Sequence, residues 1–348
     1  MEKRWVPFID PLPADLNTFN RHLSKAIEVR QYSNSGPCVK ELNDALSGLT
    51  NARVVLAANA TLILEGLHAI LLDKGLRPLL PKWTFPATNL AVEETRRRFG
   101  NTHVEGNLLG FTTYTGETQQ DYAVTTAPFG TFPPAGIQRP NVAYWIIDNA
   151  AGATPDMGNV KEWLKRGADA VVVSLHATKG LSAAEGGFVA FRDGSLYKDY
   201  LEFINFGFRS IDSVRRTLSG IGSNHKMSEL SAAWCLAKLE TYSKEHAIRA
   251  EMASRYEQFC LSSGIQYIHS CQSFWIRTKD SYKFVVEAKA LGLDARPYYA
   301  NLLPGATLDV NADKLAQQGV CLPTSIWDSQ TQHYAIACLE RLQGLWGI

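Results

Sequence analysis

Residues Ser174 to Gly187 read SLHATKGLSAAEGG, and the reading of this stretch decides the fold. Just upstream, Ala168 to Val173 is mostly apolar and β-branched; just downstream, Gly187 to Phe191 starts a second apolar run. Both have the length and composition of buried strands. The small-residue loop between them carries one lysine, Lys179. An ammonium between two core strands is costly unless it is paired, or unless desolvation lowers its pKa so that the neutral amine serves as a nucleophile.

Some thirty residues earlier, Val142-Ala-Tyr-Trp-Ile-Ile147 runs into Asp148 and then into the small residues Asn149 to Ala153. This is another buried strand, and it ends in an acid. Open α/β sheets bind ligands in the crevice at the carboxyl ends of their strands, so an acid at one strand end and a lysine beyond another point into the same crevice. Such a pair suits pyridoxal phosphate (PLP): the amine condenses with the aldehyde, and the carboxylate keeps the ring nitrogen protonated so that the ring accepts electrons. Taken alone, the two residues fit a buried structural ion pair equally well.

The chain has 348 residues, 45% of them apolar, enough for one large domain and a smaller one. A formal charge of +1 with mixed signs offers no basic stripe for nucleic acid. The six cysteines, Cys38, Cys235, Cys260, Cys271, Cys321 and Cys338, have no CxxC or metal-ligand spacing and read as reduced core thiols; no metal is expected. The opening MEKRWVPFIDPLP lacks the apolar core of a signal peptide, and no apolar run approaches ~18 residues. The expectation is a soluble, cytoplasmic protein without a membrane partner.

Along the chain, Asp15 to Val29 has helical spacing with Leu16, Phe19, Leu23 and Ile27 on one face, and Val39 to Leu49 resumes as a helix with Leu42, Leu46 and Leu49 inward. Arg53 to Ala57 reads as a strand, Ala58 to Thr61 as a tight link, and Leu62 to Leu72 as a buried helix. Ala60 and Thr61 then offer free backbone N–H groups, a hydroxyl and the positive end of the helix dipole to a phosphate, although Asn59 or Thr61 serves equally as an ordinary cap. Leu79-Leu80 is a short strand, and Trp83 or Phe85 in the turn before the helix Ala87 to Arg98 offers a flat face for a ring, or a core anchor. Gly100 to Gln120 has no clear pattern, and Tyr122 to Ala127 returns to strand. Strands alternating with helices predict a mainly parallel sheet covered on both faces. After a helix at Leu196 to Ile204, a long helical pattern from Ser228 towards Tyr256 links to a smaller α+β unit. That unit is expected to hold strands at Ile265 to Ile268, Ser273 to Ile276 and Lys283 to Glu287 and helices at Ala288 to Leu291 and Thr331 to Leu342.

Taken in order, NSGPCVKELNDAL, NATLILEGLHAIL, PKWTFPATNLAV, IIDNAAGA, SLHATKGLSAAEGG, NFGF, GSNHKMSELSAA, LDARPYY and CLPTS resemble the DegT/DnrJ/EryC1/StrS family of PLP-dependent sugar aminotransferases over nearly the whole chain. The resemblance implies an α/β protein of aminotransferase fold type I, with a large PLP-binding domain over 1–237 and a small C-terminal domain over 238–348. It implies Lys179 as the Schiff-base lysine, Asp148 as partner of the pyridine nitrogen, Ala60, Thr61 and Ser174 as phosphate ligands, and Phe85 as the stacking aromatic. Asn224 and Lys226 fall in a segment that, in this family, reaches the phosphate or substrate of the neighbouring subunit, so a homodimer with a shared active site is implied. His176 lies on the motif and reads either as a site residue or as a satisfied histidine beside the sheet. Tyr32, Glu185, Tyr298 and Tyr299 are candidates for lining the substrate pocket, or surface and packing residues.

The activity implied is transfer of an amino group from an amino acid, usually L-glutamate, to a nucleotide-linked keto-deoxysugar. The SNSGP and NHKMSE blocks look most like members acting on a 4-keto-6-deoxyhexose, of the kind built into lipopolysaccharide O-antigens, with 3-keto sugars as the alternative. Three departures bear on substrate. Ala151 stands where many members have glutamine or histidine, Gly100 to Gln120 lacks the usual aspartate-rich strand, and the turn before Phe129-Gly130 has no histidine. Dehydratases of the family resemble this pattern with histidine at the position of Lys179. A cofactor-bearing regulatory or scaffold homologue is the remaining alternative, and the departures would be its symptoms.

Overall fold

The computed structural model describes residues 3–99, 103–105, 107–108, 111–112, 119–210, 215–218, 220–299 and 310–347. In chain order the first elements are α1 (Leu16–Glu28), α2 (Pro37–Thr50), β1 (Arg53–Ala57), α3 (Ala60–Asp73), β2 (Arg77–Pro81), α4 (Pro86–Phe99), β3 (His103–Glu105), β4 (Asn107–Leu108), β5 (Phe111–Thr112) and β6 (Asp121–Thr126). There follow β7 (Tyr144–Asp148), α5 (Gly158–Lys165), β8 (Ala170–Ser174), β9 (Gly187–Phe191), α6 (Gly194–Phe203), β10 (Phe208–Ser210), β11 (Arg216–Leu218) and α7 (Glu229–Ser263). The C-terminal part holds β12 (Tyr267–Ile268), β13 (Phe274–Arg277), α8 (Ser281–Ala290), α9 (Val310–Gln318), β14 (Gly319–Leu322) and α10 (Ser329–Arg341).

Among the described residues a seven-stranded sheet runs in the order β1-β9-β8-β7-β6-β2-β3. Neighbours from β8 to β3 are parallel, while β9 is antiparallel to both β1 and β8. Since β1 and β8 both oppose β9, they run the same way, and the carboxyl ends of β1, β6, β7 and β8 share one edge. Strands β6 and β8 are buried at every position, as strands covered on both faces must be, which is why they read as unbroken apolar runs. One core cluster under the sheet gathers α2, α5 and the start of α7; another, on the opposite face, gathers α3, α4 and α6. The later half of α7 contributes Met252, Ala253, Tyr256 and Cys260 to a separate cluster with β13, α8, β14 and α10. Helix α7 therefore enters two cores, which explains its 35 residues.

Several local expectations are corrected. Helix α1 is rolled on its axis: His22 and Ala26 are buried, Phe19 and Leu23 pack partly against the core, and Leu16 and Ile27 lie 64% and 53% exposed. Contacts from His22 to Glu240 at 3.0 Å and Glu41 at 3.4 Å hold that orientation. Lys283 to Glu287, expected as a strand, lies in helix α8, because Asp280 caps Lys283 N at 2.9 Å and the buried Phe284, Val285 and Ala288 form one helical face. Helices α5 and α9 and strand β14 carried no expectation. All six cysteines are free; Cys271 is half-buried and the others are buried. No helix among the described residues is long and apolar enough to cross a membrane. Within Gly100 to Gln120, residues 100–102, 106, 109–110 and 113–118 lie outside the described residues.

Buried histidines make the fold sensitive to acid. His68 is fully buried, 2.7 Å from the Tyr122 hydroxyl, and burial pushes its pKa down to about 3; that of His225 falls to about 4 for the same reason. A folded pKa below the unfolded value of 6.5 means that stability is fully present above pH 6.5 and is lost as pH falls towards the folded pKa. Urea unfolding at pH 7, 5.5 and 4.5 should show His68 alone contributing a slope of about 1.4 kcal/mol per pH unit. His68→Gln should flatten the curve by that amount, and an unchanged slope would refute the assignment.

Candidate active site

A cavity of about 440 Å³ opens at the carboxyl edge of the sheet. It is lined by Asp148 at the end of β7, Ser174 at the end of β8, Ala60 and Thr61 at the start of α3, Phe85 before α4, and Lys179 in the loop between β8 and β9. Gly187 is paired with Ser174 on one side and Ala57 on the other. A Cβ there would stand 2.7 Å from the Ala60 nitrogen, so glycine keeps the start of α3 close against the sheet.

Asp148 is held as an acceptor. Its Oδ2 accepts from Thr88 Oγ1 at 2.5 Å and its Oδ1 from Ala150 N at 3.1 Å. Thr88 bonds Thr84 at 2.8 Å, and Thr84 bonds Thr126 at 2.7 Å, so the carboxylate ends a chain of hydroxyls. Burial raises the Asp148 pKa; the Thr88 bond, the Ala150 N–H and the charge of Lys179 oppose that shift. Lys179 moves the other way: desolvation pulls its pKa down, countered by Asp148. The two shifts both reduce charge separation, as burial of a pair dictates.

The lysine loop is fixed from both ends. Lys179 N donates to His176 O at 2.8 Å, Ala177 N to Ala184 O at 2.8 Å, and Leu181 and Ala183 are fully buried. Gln272, from the segment before β13, straddles Lys179: its Nε2 donates to Thr178 O at 2.6 Å and its Oε1 accepts from Gly180 N at 2.7 Å. Sequence reasoning missed Gln272 and Thr88, because each meets its partner across 60 or more positions and carries no local motif. Gln272→Leu removes both bonds while keeping bulk. It should lower kcat about tenfold with the fold intact by circular dichroism, while Gln272→Glu, which keeps an acceptor for Gly180 N, should lose less.

Among the other candidates, His176, Glu185, Tyr298 and Tyr299 line the cavity. His176 Nδ1 accepts from Thr178 N at 3.2 Å, and its Nε2 lies 3.4 Å from Glu185 Oε1, so it is both satisfied and at the site. Tyr299 stacks on Phe129 with centroids 4.8 Å apart. Ala151, the site of the sequence departure, also lines the cavity. Three candidates are not brought there. Tyr32 is 55% exposed on the loop after α1, its carbonyl accepting from Glu229 N at 3.5 Å. Asn224 is exposed, and Lys226 donates to Asn205 Oδ1 at 3.3 Å and lies 4.4 Å from the Phe206 ring centroid.

The residues fit PLP. The first turn of α3 presents N–H groups and the Thr61 hydroxyl; the Ser174 hydroxyl accepts from His176 N at 3.3 Å and keeps its own proton to donate. Phe85 leaves an aromatic face 50% exposed in the cavity wall, where a flat ring would cover it. An acceptor-only Asp148 suits a protonated ring nitrogen, and a desolvated Lys179 suits an aldehyde.

The model of the DegT/DnrJ/EryC1/StrS aminotransferase family matches residues 143–333, which include Asp148, Ser174 and Lys179. Protein Rv3402c of Mycobacterium tuberculosis is 26% identical over 285 residues, covering 75% of this chain and 66% of that protein. The same figures hold for protein Mb3436c of Mycobacterium bovis, so the match spans just under two thirds of the length of these relatives. Three solved structures share the fold. DesI in the presence of its TDP-sugar product has a TM-score of 0.76 at 23% identity, over 99% of this chain and 94% of that one. PseC of Helicobacter pylori, an aminotransferase of pseudoaminic acid biosynthesis, has 0.79 at 15%, over 98% and 100%. NtdA of Bacillus subtilis with bound cofactor PMP has 0.81 at 19%, over 99% and 86%.

Proposed function

The chain belongs to the DegT/DnrJ/EryC1/StrS aminotransferase family, and from that premise we propose that it is a PLP-dependent enzyme moving the amino group of L-glutamate to a nucleotide-linked 4-keto-6-deoxyhexose. The observation that carries this reading is Lys179: a desolvated amine beside a buried carboxylate, in a cavity large enough for a cofactor and a sugar. The TDP-sugar product of DesI and the pseudoaminic acid pathway of PseC support the substrate class.

Bound PLP supplies an aldehyde that accepts the amino group and a ring that withdraws electrons from the reacting carbon. The chain supplies the rest. Ala60, Thr61 and Ser174 hold the phosphate, Phe85 covers the ring, and Asp148 fixes a negative charge at the ring nitrogen. Lys179 Nζ, whose pKa burial pulls down towards the neutral amine, takes a proton from the donor's Cα and later delivers one to the sugar carbon that receives the amine. His176, Glu185 and Tyr298 line the same cavity and in this reading would meet the sugar.

In this reading 1–237 forms the cofactor domain and 238–348 the smaller one, with α7 crossing between them, and the enzyme is a homodimer. Asn224 and Lys226, which do not reach the cavity of their own chain, would then serve the partner's. Exposed apolar residues on α1 and the adjoining start of α7, Leu16, Ile27 and Leu230, support a covered face there. The test incubates PLP-loaded protein with L-glutamate and a panel of TDP- and UDP-linked 4-keto and 3-keto deoxysugars, with product mass and NMR as readouts. An amine at C4 is expected. An amine at C3 would move the reading to 3-keto sugars, and a bleached cofactor band without any sugar product would overturn the substrate class.

A further inference from the structure

A second cavity, of about 140 Å³, lies behind the lysine loop and shares Ala151 and Gln272 with the first. Arg249, on α7, lines it together with His246, His269 and Ser270. Arg249 is 3% exposed, yet its Nε and Nη1 are buried without a hydrogen-bond partner. A guanidinium stays charged and brings only donors, so two unpaired N–H groups in the interior call for an acceptor.

No neighbouring acid bonds these two groups. Glu245 is bonded by Lys238 Nζ at 2.5 and 2.6 Å and by Thr241 at 2.9 Å. Asp156 accepts from Thr154 and Gly158, and Glu257 accepts from Tyr267 and faces His269 at 3.4 Å. The Arg249 charge lies 5.2 Å from the Trp327 ring centroid, which takes none of its N–H groups, and it feels the charges of Glu245 and Asp10 while Nε and Nη1 bond neither. At ~30 Å³ per water, the cavity has room for roughly four or five waters. That suits a small anion.

We propose that this cavity is a second binding site, for a small oxyanion held by the guanidinium of Arg249 with His246, His269 and Ser270 around it. A carboxylate and a tetrahedral phosphate or sulfate share the required chemistry. The occupant would sit against Gly180 and Gln272, the residues that clamp the loop of Lys179, so filling the site would stiffen that loop. The binding claim stands independently of the reading of the first cavity.

The test titrates the PLP-loaded protein calorimetrically with sodium phosphate, sodium sulfate and sodium acetate, each against sodium chloride at matched ionic strength. Binding is expected for at least one oxyanion, weakened about tenfold or more in Arg249→Met and unchanged in Lys165→Met, at an exposed lysine outside both cavities. Binding of acetate alone identifies a carboxylate site, and binding of phosphate or sulfate alone a tetrahedral one; either supports the proposal. No binding, or equal binding by Arg249→Met, overturns it. Should that variant fail to fold, wild-type crystals soaked in selenate decide. An anomalous peak within hydrogen-bond reach of Arg249 supports the site, and its absence overturns it. If the first cavity proves not to take PLP, a separate peak at Thr61 and Ser174 reports that failure and leaves the one at Arg249 to be judged on its own.

Discussion

Lys179→Ala should lower amino transfer by about 10⁴-fold and, in the cofactor-free protein, raise the melting temperature at pH 7. The loss sits at the upper end of what a single proton-transfer group supplies, because the same amine anchors the cofactor covalently. The gain in stability follows from linkage. The folded pKa of Lys179 is depressed by burial from the ordinary value of 10.5. Its favourable contribution is therefore fully present above pH 10.5 and is lost as pH falls through the folded pKa, so near neutrality the free site carries an unfavourable lysine. Alanine removes that cost, and the advantage of the variant should shrink between pH 7 and pH 10. Differential scanning fluorimetry of dialysed protein at the two pH values, with single-turnover kinetics alongside, measures both arms. A variant melting below wild type at pH 7 would show that the lysine serves as a structural partner of Asp148.

How far the sequence alone reaches depends on what each feature rests on. Strands β1, β7, β8 and β9 were legible because burial on both faces turns them into continuous apolar runs. Their ends place Asp148, Ser174, Lys179, Ala60 and Thr61 around one cavity, through topology alone. Lys283 to Glu287 misled because Phe-Val-Val is apolar, with an aromatic and two β-branched residues, whereas the Asp280 cap and the burial of Phe284 and Val285 decided for helix. The Thr88 and Gln272 bonds depend on packing between distant segments, which no spacing records. Tyr32, Asn224 and Lys226 show the converse: they stand in recognisable blocks, yet their place in a single chain is outside the cavity.

Asp148→Asn and Thr88→Val should separate the charge of the ring-side carboxylate from its support. Asparagine keeps the size of the side chain but carries no charge at any pH, so kcat should fall by about 10²–10³-fold, the range for losing one preorganised electrostatic contact, and PLP should dissociate more readily. Valine at 88 leaves the carboxylate in place and removes the 2.5 Å bond to Oδ2. Burial already raises the Asp148 pKa, and the Thr88 bond is the foremost influence holding it down. Without that bond the pKa rises further, and the carboxylate is protonated over a wider acid range. The acid limb of the kcat profile should therefore move to higher pH in Thr88→Val, with activity recovering towards the wild-type value as pH rises. Asp148→Asn should stay low throughout, since no pH restores its charge. Profiles from pH 5.5 to 9 distinguish the two. An acid limb unmoved by Thr88→Val would mean that the hydroxyl chain through Thr84 and Thr126 does not tune the carboxylate. Near-normal turnover by Asp148→Asn at pH 8 would remove Asp148 from the chemistry altogether.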